Sequence, residues 1–270
     1  MRLLLLTSSM PNQIALINKI FEIKKDFSLI VERKYDNYQK TLYEKFCLVI
    51  LSLLSIFIFK RTWNKVQKQY KDKYPCPPIE PKLDIFDINS QVVVDEINKL
   101  KPELVIVSGT SLLHINIIKE IQKYGKILNL HTGLSPYVKG GPNCTNWCLY
   151  NREFAYIGNT ILWLDAGIDS GNIALSEQVV LNGSESFFDL HLKVIEHGHN
   201  LYLRAIKAFL SDNILPSISQ NSINDGRLYL TKEWTPYKIL IAYINFLLFY
   251  KKDLSNQKGI SKPSLVKLSK

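Results

Sequence analysis

Residues Ile127–Trp147 read ILNLHTGLSPYVKGGPNCTNW, an apolar run that delivers an Asn and a His, two positions apart, into a loop of Gly and Pro. On an extended strand residues two apart point to the same face, so Asn129 and His131 project side by side from one strand end. Upstream of that strand, His114–Lys123 has helical spacing, ELVIVSG (Glu103–Gly109) reads as a strand, and Ser90–Leu100 reads as a helix opened by the cap-like INSQ. Further back, Arg2–Ser8, Gln13–Ile23 and Phe27–Val31 read as strand, helix and strand. Strands alternating with helices of this length imply right-handed βαβ units and an α/β fold with a mostly parallel sheet, whose sites gather at the carboxyl ends of strands. Asn129 and His131 stand at such an end.

The chain has 270 residues, 46% hydrophobic and 21% charged, which excludes wholesale disorder and leaves room for a sizeable core. A net charge of +10 suits phosphates, nucleic acid or an anionic membrane surface and selects none of them. The four cysteines, Cys47, Cys76, Cys144 and Cys148, form no CxxC pair; a zinc site is not expected, and a reducing cytoplasm fits best. The four leucines after Arg2 are too short a run for a signal peptide and read as a first strand.

Between Tyr35 and Lys82 the α/β rhythm breaks. FCLVILSLLSIFIF (Phe46–Phe59) is an apolar run flanked by Lys45 and by Lys60 and Arg61; it falls short of the roughly 20 residues that span a bilayer. It reads as a buried or oligomer-interface helix, with insertion into a membrane surface as the sharper alternative. A second apolar segment with cationic ends, Lys238–Lys252, strengthens that alternative. The expected organisation is a catalytic unit over 1–210, carrying the 35–82 insertion, and a short extension over 211–270 with an apolar helix.

A second informative stretch is YIGNTILWLDAGIDSGNIALSEQVVL (Tyr156–Leu181), two strand-like runs around a loop with Asp165, Gly167, Asp169 and Gly171. Its glycines let backbone approach a ligand, and Asp169 can reach a base-competent His. Asn129, His131 and Asp169 then form a set suited to acyl chemistry: a donor for a developing oxyanion, a proton carrier and a group that orients it. From spacing alone the plainer reading, ordinary turn carboxylates and a strand histidine, stays open. His191, His197 and His199 fall in an amphipathic helix whose Phe188, Leu192, Ile195, Leu201 and Ile206 form a core face, and they read as packing residues. Trp147 and Tyr150 read the same way, and Trp234 and Tyr237 fit either a dimer contact or an acceptor pocket.

NLHTGLSPYVKGG, the aromatic helix NWCLYN and GNTILWLDAGIDSGNI, in this order and separation, resemble the folate-dependent formyltransferases, the family of the glycinamide ribonucleotide, methionyl-tRNA and sugar N-formyltransferases. The resemblance covers Leu104–Leu210 well and the first strand and helix loosely. It implies a Rossmann-like sheet, formyl transfer from N10-formyltetrahydrofolate to an amine, and Asn129, His131 and Asp169 as the catalytic triad. It also implies a folate site at Gly109, Ser111, Leu112 and Leu113, closed by Leu164, Asp165 and Gly167, with no metal. Thr132, Gly133, Val138 and Lys139 depart from the commoner form of the His loop, which carries Pro and Ser after the His and Tyr and Arg before the Gly.

Within the family, the transfer-RNA enzyme carries a sizeable C-terminal β-barrel, whereas about 60 residues follow Leu210 here. The purine enzyme keeps a glycine loop after its first strand, and this chain has TSSMPNQ there. The sugar N-formyltransferases remain, with a nucleotide-linked amino-dideoxy sugar as partner, no nucleic acid, and Lys139 as a candidate diphosphate contact. A cytoplasmic enzyme, peripheral at the inner membrane through its apolar segments and homodimeric, completes the expectation for surface polysaccharide (lipopolysaccharide) synthesis. The alternatives are a methionyl-tRNA or glycinamide ribonucleotide type of enzyme and a non-catalytic membrane-associated member of the fold.

Overall fold

A computed structural model describes residues 1–33, 55–141, 143–165, 169–212, 214–256 and 262–268. Most of the apolar run at 46–59, and Gly167 of the second loop, lie outside the described residues. The first strand, β1 (Leu3–Ser8), is buried along its whole length, as expected of a central parallel strand covered on both faces. It is followed by α1 (Pro11–Ile23), with proline at the start where no amide donor is lost, and by β2 (Ser28–Glu32). Next come α2 (Ser55–Lys73), β3 (Leu83–Ile85), α3 (Gln91–Leu100), β4 (Leu104–Ser108), α4 (Ile115–Gln122) and β5 (Lys126–His131). The later elements are β6 (Val138–Gly140), α5 (Cys144–Asn151), β7 (Gly158–Trp163), β8 (Ile173–Gln178), α6 (Phe187–Asp212), β9 (Arg227–Tyr229) and α7 (Pro236–Ser255).

The main sheet has the order β3-β2-β1-β4-β5-β7-β8, parallel from β3 through β5 and antiparallel at β5-β7 and β7-β8. The strand order reverses between β1 and β4, the switch point at which such sheets open a crevice at their carboxyl edge. Alternation along β1 sends Leu3 and Leu5 into a core with α1 and α6, and Leu4 and Leu6 into a second core with α3 and α4. A third apolar cluster joins α5 to α7 through Trp147, Phe154, Ala242 and Tyr250. The long amphipathic helix predicted around the three histidines is α6, which covers β7, β8 and β5.

Tyr202, on α6, shows how that cover is tied down. Its hydroxyl accepts the Val107 amide at 3.0 Å and turns its proton toward the carbonyls of Leu128 (2.6 Å) and Val107 (3.1 Å), stitching β4 to β5 just beneath Asn129. The residue is fully buried. Tyr202→Phe keeps the ring and strands these backbone groups, so a loss of about 1–3 kcal/mol is expected. Urea unfolding with an unchanged slope measures it, and a loss below a few tenths of that range contradicts the role.

Candidate active site

Alternation along β5 sets the geometry. Leu128 and Leu130 face the α1/α6 core, so Asn129 and His131 point to the opposite face, the one shared with Val107, Leu113 and Leu164. Antiparallel β7 carries the chain away from His131 toward Leu164, whose amide donates to the Ile127 carbonyl at 2.9 Å. Beyond the loop, Asp169 is back beside His131, with Oδ2 3.1 Å from Nδ1. The same oxygen accepts the Gly140 amide at 2.9 Å. Gln220 donates from Nε2 to the carbonyls of Asp169 (2.6 Å) and Gly171 (2.7 Å) and holds the loop. Asp169 has a φ of +47°, a left-handed conformation that Asp tolerates better than most residues.

His131 is buried, 6% exposed, and its other nitrogen, Nε2, lies 3.0 Å from the Val138 carbonyl and 3.5 Å from Cys144 Sγ. Burial works against a charge on this ring, yet the Asp169 carboxylate overrides it and lifts the pKa to about 10. Each nitrogen then carries a proton and each proton has an acceptor, so the site holds a fixed imidazolium at neutral pH. Cys144 stands in the first turn of α5, where Asn143 caps the helix by accepting the Asn146 amide. Burial pushes the Cys144 thiol up, against the pull of His131.

Of the residues expected to hold folate, Leu113 and Leu164 fall on the same face, whereas Gly109 lines a cavity on the other side of β5. Gly109 turns the chain at φ +72°, and a β-carbon there would come within 2.7 Å of Gln13. The loop is pinned where Glu32 accepts the Ser111 amide (2.6 Å) and Asn89 Nδ2 donates to the Leu112 carbonyl (3.0 Å). Leu112 is 61% exposed at the mouth, whereas Leu113 is buried in the α3/α4 core with Leu164 packed against it. Asp165 accepts from Ser170 Oγ at 2.5 Å. Lys139 donates to the Asp225 carbonyl at 3.3 Å.

Across the end of β5, on the side of Leu130 and Thr132, lies a cavity of about 290 Å³. Ser8, Asn12, Gly109 and Thr132 line it from the sheet edge, and His191 and His199 from α6. These two histidines, read from sequence as packing residues, do pack, His191 against Phe187 at 4.7 Å and His199 against Tyr70 at 5.9 Å, and they also wall the cavity. Burial lowers the His191 pKa to about 4, and burial with the Lys19 charge lowers that of His199 to about 3, so both are neutral imidazoles at pH 7. His197 faces elsewhere, pairing with Glu177 at 3.1 Å. Among the described residues no group of three or more His, Cys, Asp or Glu side chains is arranged to hold a metal ion.

The fold is one that comparison with known proteins identifies. The chain belongs to the formyl transferase family, whose pattern matches residues 54–206, and the family's formyl donor is N10-formyltetrahydrofolate. It is similar to the methionyl-tRNA formyltransferase of Clostridium tetani (strain Massachusetts / E88), 32% identical over 123 residues, or 46% of this chain and 39% of that protein. The chain thus spans about two fifths of that relative's length. In structure it is similar to a sugar N-formyltransferase from Shewanella sp FDAARGOS_354, with a TM-score of 0.58 and 14% identity over 92% of this chain and 88% of that one. An N-formyltransferase from Helicobacter canadensis, solved with folinic acid and dTDP-3-aminofucose, gives a TM-score of 0.56 at 14% identity, covering 92% and 81%. At these identities the structural likeness is one of fold.

Proposed function

We propose that this enzyme transfers the formyl group of N10-formyltetrahydrofolate to the amine of a nucleotide-linked amino-dideoxy sugar, for surface polysaccharide synthesis. The observation that carries the reading is the division of the β5 end. The Asn129/His131/Asp169 set shares its face of β5 with Leu113 and Leu164, and a polar cavity lined by Gly109 and Thr132 opens on the other. The donor supplies an activated formyl carbon. Asn129 donates a hydrogen bond toward the formyl oxygen, and the His131 imidazolium, its N–H groups held by Asp169 and Val138, presents a fixed positive charge as that oxygen gains negative charge. The amine nitrogen bonds to the formyl carbon, the bond from that carbon to the donor nitrogen breaks, and the amine's proton ends on the departing nitrogen. Asp169 keeps the ring charged and oriented throughout.

Several finer features belong to the same proposal. Residues 1–210 act as the catalytic unit, and 211–270 as an extension that adds Trp234 and α7. The enzyme works in the cytoplasm, as a homodimer, and Lys139 serves the diphosphate. Contact with the inner membrane surface is supported by the exposed Phe57, Tyr237, Leu247 and Leu248 on α2 and α7, beside Lys60, Arg61 and Lys251. No helix among the described residues is long and apolar enough to cross a membrane.

A second reading, formylation of methionyl-tRNA, is favoured by the sequence relatives, which are methionyl-tRNA formyltransferases. Tetrahydrofolate release from N10-formyltetrahydrofolate separates the two. Nucleotide-linked 3-amino- and 4-amino-dideoxy sugars are assayed beside initiator methionyl-tRNA and glycinamide ribonucleotide. Turnover with a sugar alone is expected. Turnover with the transfer RNA alone, weakening steeply with salt, replaces the first reading by the second.

A further inference from the structure

The cavity beside β5 is not a closed end. A second cavity, of about 320 Å³, adjoins it, and three residues, Trp63, Asn143 and His191, line both. The two differ in chemistry. The inner one is polar at the sheet edge, where Ser8 Oγ and Asn12 Oδ1 are buried with no hydrogen-bond partner among the described residues. Such groups are costly unless a ligand or solvent answers them. The outer one is aromatic, with Phe59, Trp63 and Trp234 in its wall, one cation, Lys60, and a further unpartnered buried acceptor, Asn146 Oδ1.

The aromatic walls are not equivalent. Trp234 is committed to the protein, edge-on to Trp147 at 4.8 Å and tilted against Phe59 at 6.5 Å. Trp63 has no ring partner among the described residues and is 37% exposed, so its indole is offered to whatever enters. It stands on α2 one turn from Lys60, so an aromatic face and an ammonium share one side of the helix. A planar ring beside a cation is the complement of a base followed by phosphate. His191, neutral between the chambers, adds hydrogen-bonding capacity there without a second positive charge. Two adjoining volumes near 300 Å³, each of ordinary ligand-site size, suit one elongated ligand with a polar head and an aromatic tail.

We propose that the outer chamber is the carrier site of the acceptor: Trp63 stacks on the base of a nucleoside diphosphate, Lys60 faces its phosphates, and the inner chamber receives the amino sugar. The assignment rests on the proposal that the acceptor is nucleotide-linked, and it names Trp63 as the residue that sets affinity for the carrier.

The test uses the full chain with uridine diphosphate and thymidine diphosphate as probes, without sugar or folate, followed by tryptophan fluorescence and calorimetry. One of the two should bind and quench the fluorescence. Trp63→Ala should weaken that binding about 5- to 150-fold, the usual worth of one stacked base, and Trp63→Phe should keep most of it. Lys60→Ala should weaken it a few-fold, less so at high salt. In the formyl-transfer assay Trp63→Ala should raise the acceptor KM and leave the donor KM and kcat near wild type. Failure of both nucleotides to bind the wild-type chain, or unchanged binding by a Trp63→Ala protein with wild-type melting behaviour, overturns the site. Trp63-dependent nucleotide binding without turnover of any sugar would remove the sugar-formylation reading and leave this site standing. Sugar turnover with an unmoved KM in Trp63→Ala would do the reverse.

Discussion

Asp169→Asn is expected to lower turnover by on the order of 10²–10³-fold, the range that one preorganised group stabilising a developing oxyanion contributes, with little change in fold. The substitution keeps the side-chain shape, and an amide oxygen can still accept from Gly140. What it removes is the charge that offsets burial of His131. With that gone, desolvation prevails, the imidazole pKa falls from about 10 toward and below its ordinary value, and the ring is neutral at pH 7. The sign of the pH effect follows. Because folding raises this pKa, the pair's contribution to stability is complete below about 6.5 and is lost as pH rises through about 10. Wild-type activity that depends on the imidazolium should therefore be flat through neutrality and fall as pH approaches 10, while residual activity of the variant should fall several units lower. Nitrogen chemical shifts of His131 follow the same titration directly. Near-wild-type turnover by Asp169→Asn would show that the charge on His131 does no catalytic work.

Much of this arrangement was legible in the sequence because it is written in local period. The leucine run after Arg2 announced a buried first strand, and the two-residue spacing of Asn129 and His131 placed them on one face of β5, which is where they stand. The features that were missed depend on contacts between distant segments. Nothing in the spacing of Cys144 and Cys148 ties Cys144 to His131; that contact exists because the β6 turn lays the first turn of α5 against the strand end. The histidines of α6 left a faint local signal. His191, Ile195 and His199 recur at four-residue intervals on one helix face, and all three line the inner cavity, whereas His197 is off that stripe. Hydrophobic periodicity alone assigned that face to the core, since a cavity wall and a core contact look the same from one helix. The loop expected to meet folate shows a similar limit, since spacing does not reveal that the Ser111 amide donates to Glu32, that Leu113 packs in the core or that Leu112 is exposed.

Gly133→Ala is the substitution that should reveal how tightly His131 is held. A β-carbon at this position would sit 2.4 Å from His131 Nε2, 2.7 Å from Cys144 Sγ and 2.8 Å from Cys144 Cβ. None of these distances is tolerable, so an atom must move. Backbone dihedral strain is not the issue, because Gly133 is not among the residues with positive φ. The imidazole has nowhere easy to go, being fastened to Asp169 through Nδ1 and to Val138 through Nε2. Overpacking of a closed site costs about 1–3 kcal/mol, and displacement of a catalytic group by about 1 Å costs on the order of 10²-fold in rate. The variant should therefore lose about that much kcat with a modest drop in melting temperature, and its acceptor KM should stay near wild type because Gly133 lines neither cavity. A second substitution separates two causes. Cys144→Ala removes the sulfur but leaves Cys144 Cβ and, nearer still, His131 Nε2, so Gly133→Ala/Cys144→Ala should stay as slow as Gly133→Ala alone. Full recovery in the double variant would mean that the cysteine, not the histidine, bears the clash, and that His131 has room to shift within the site.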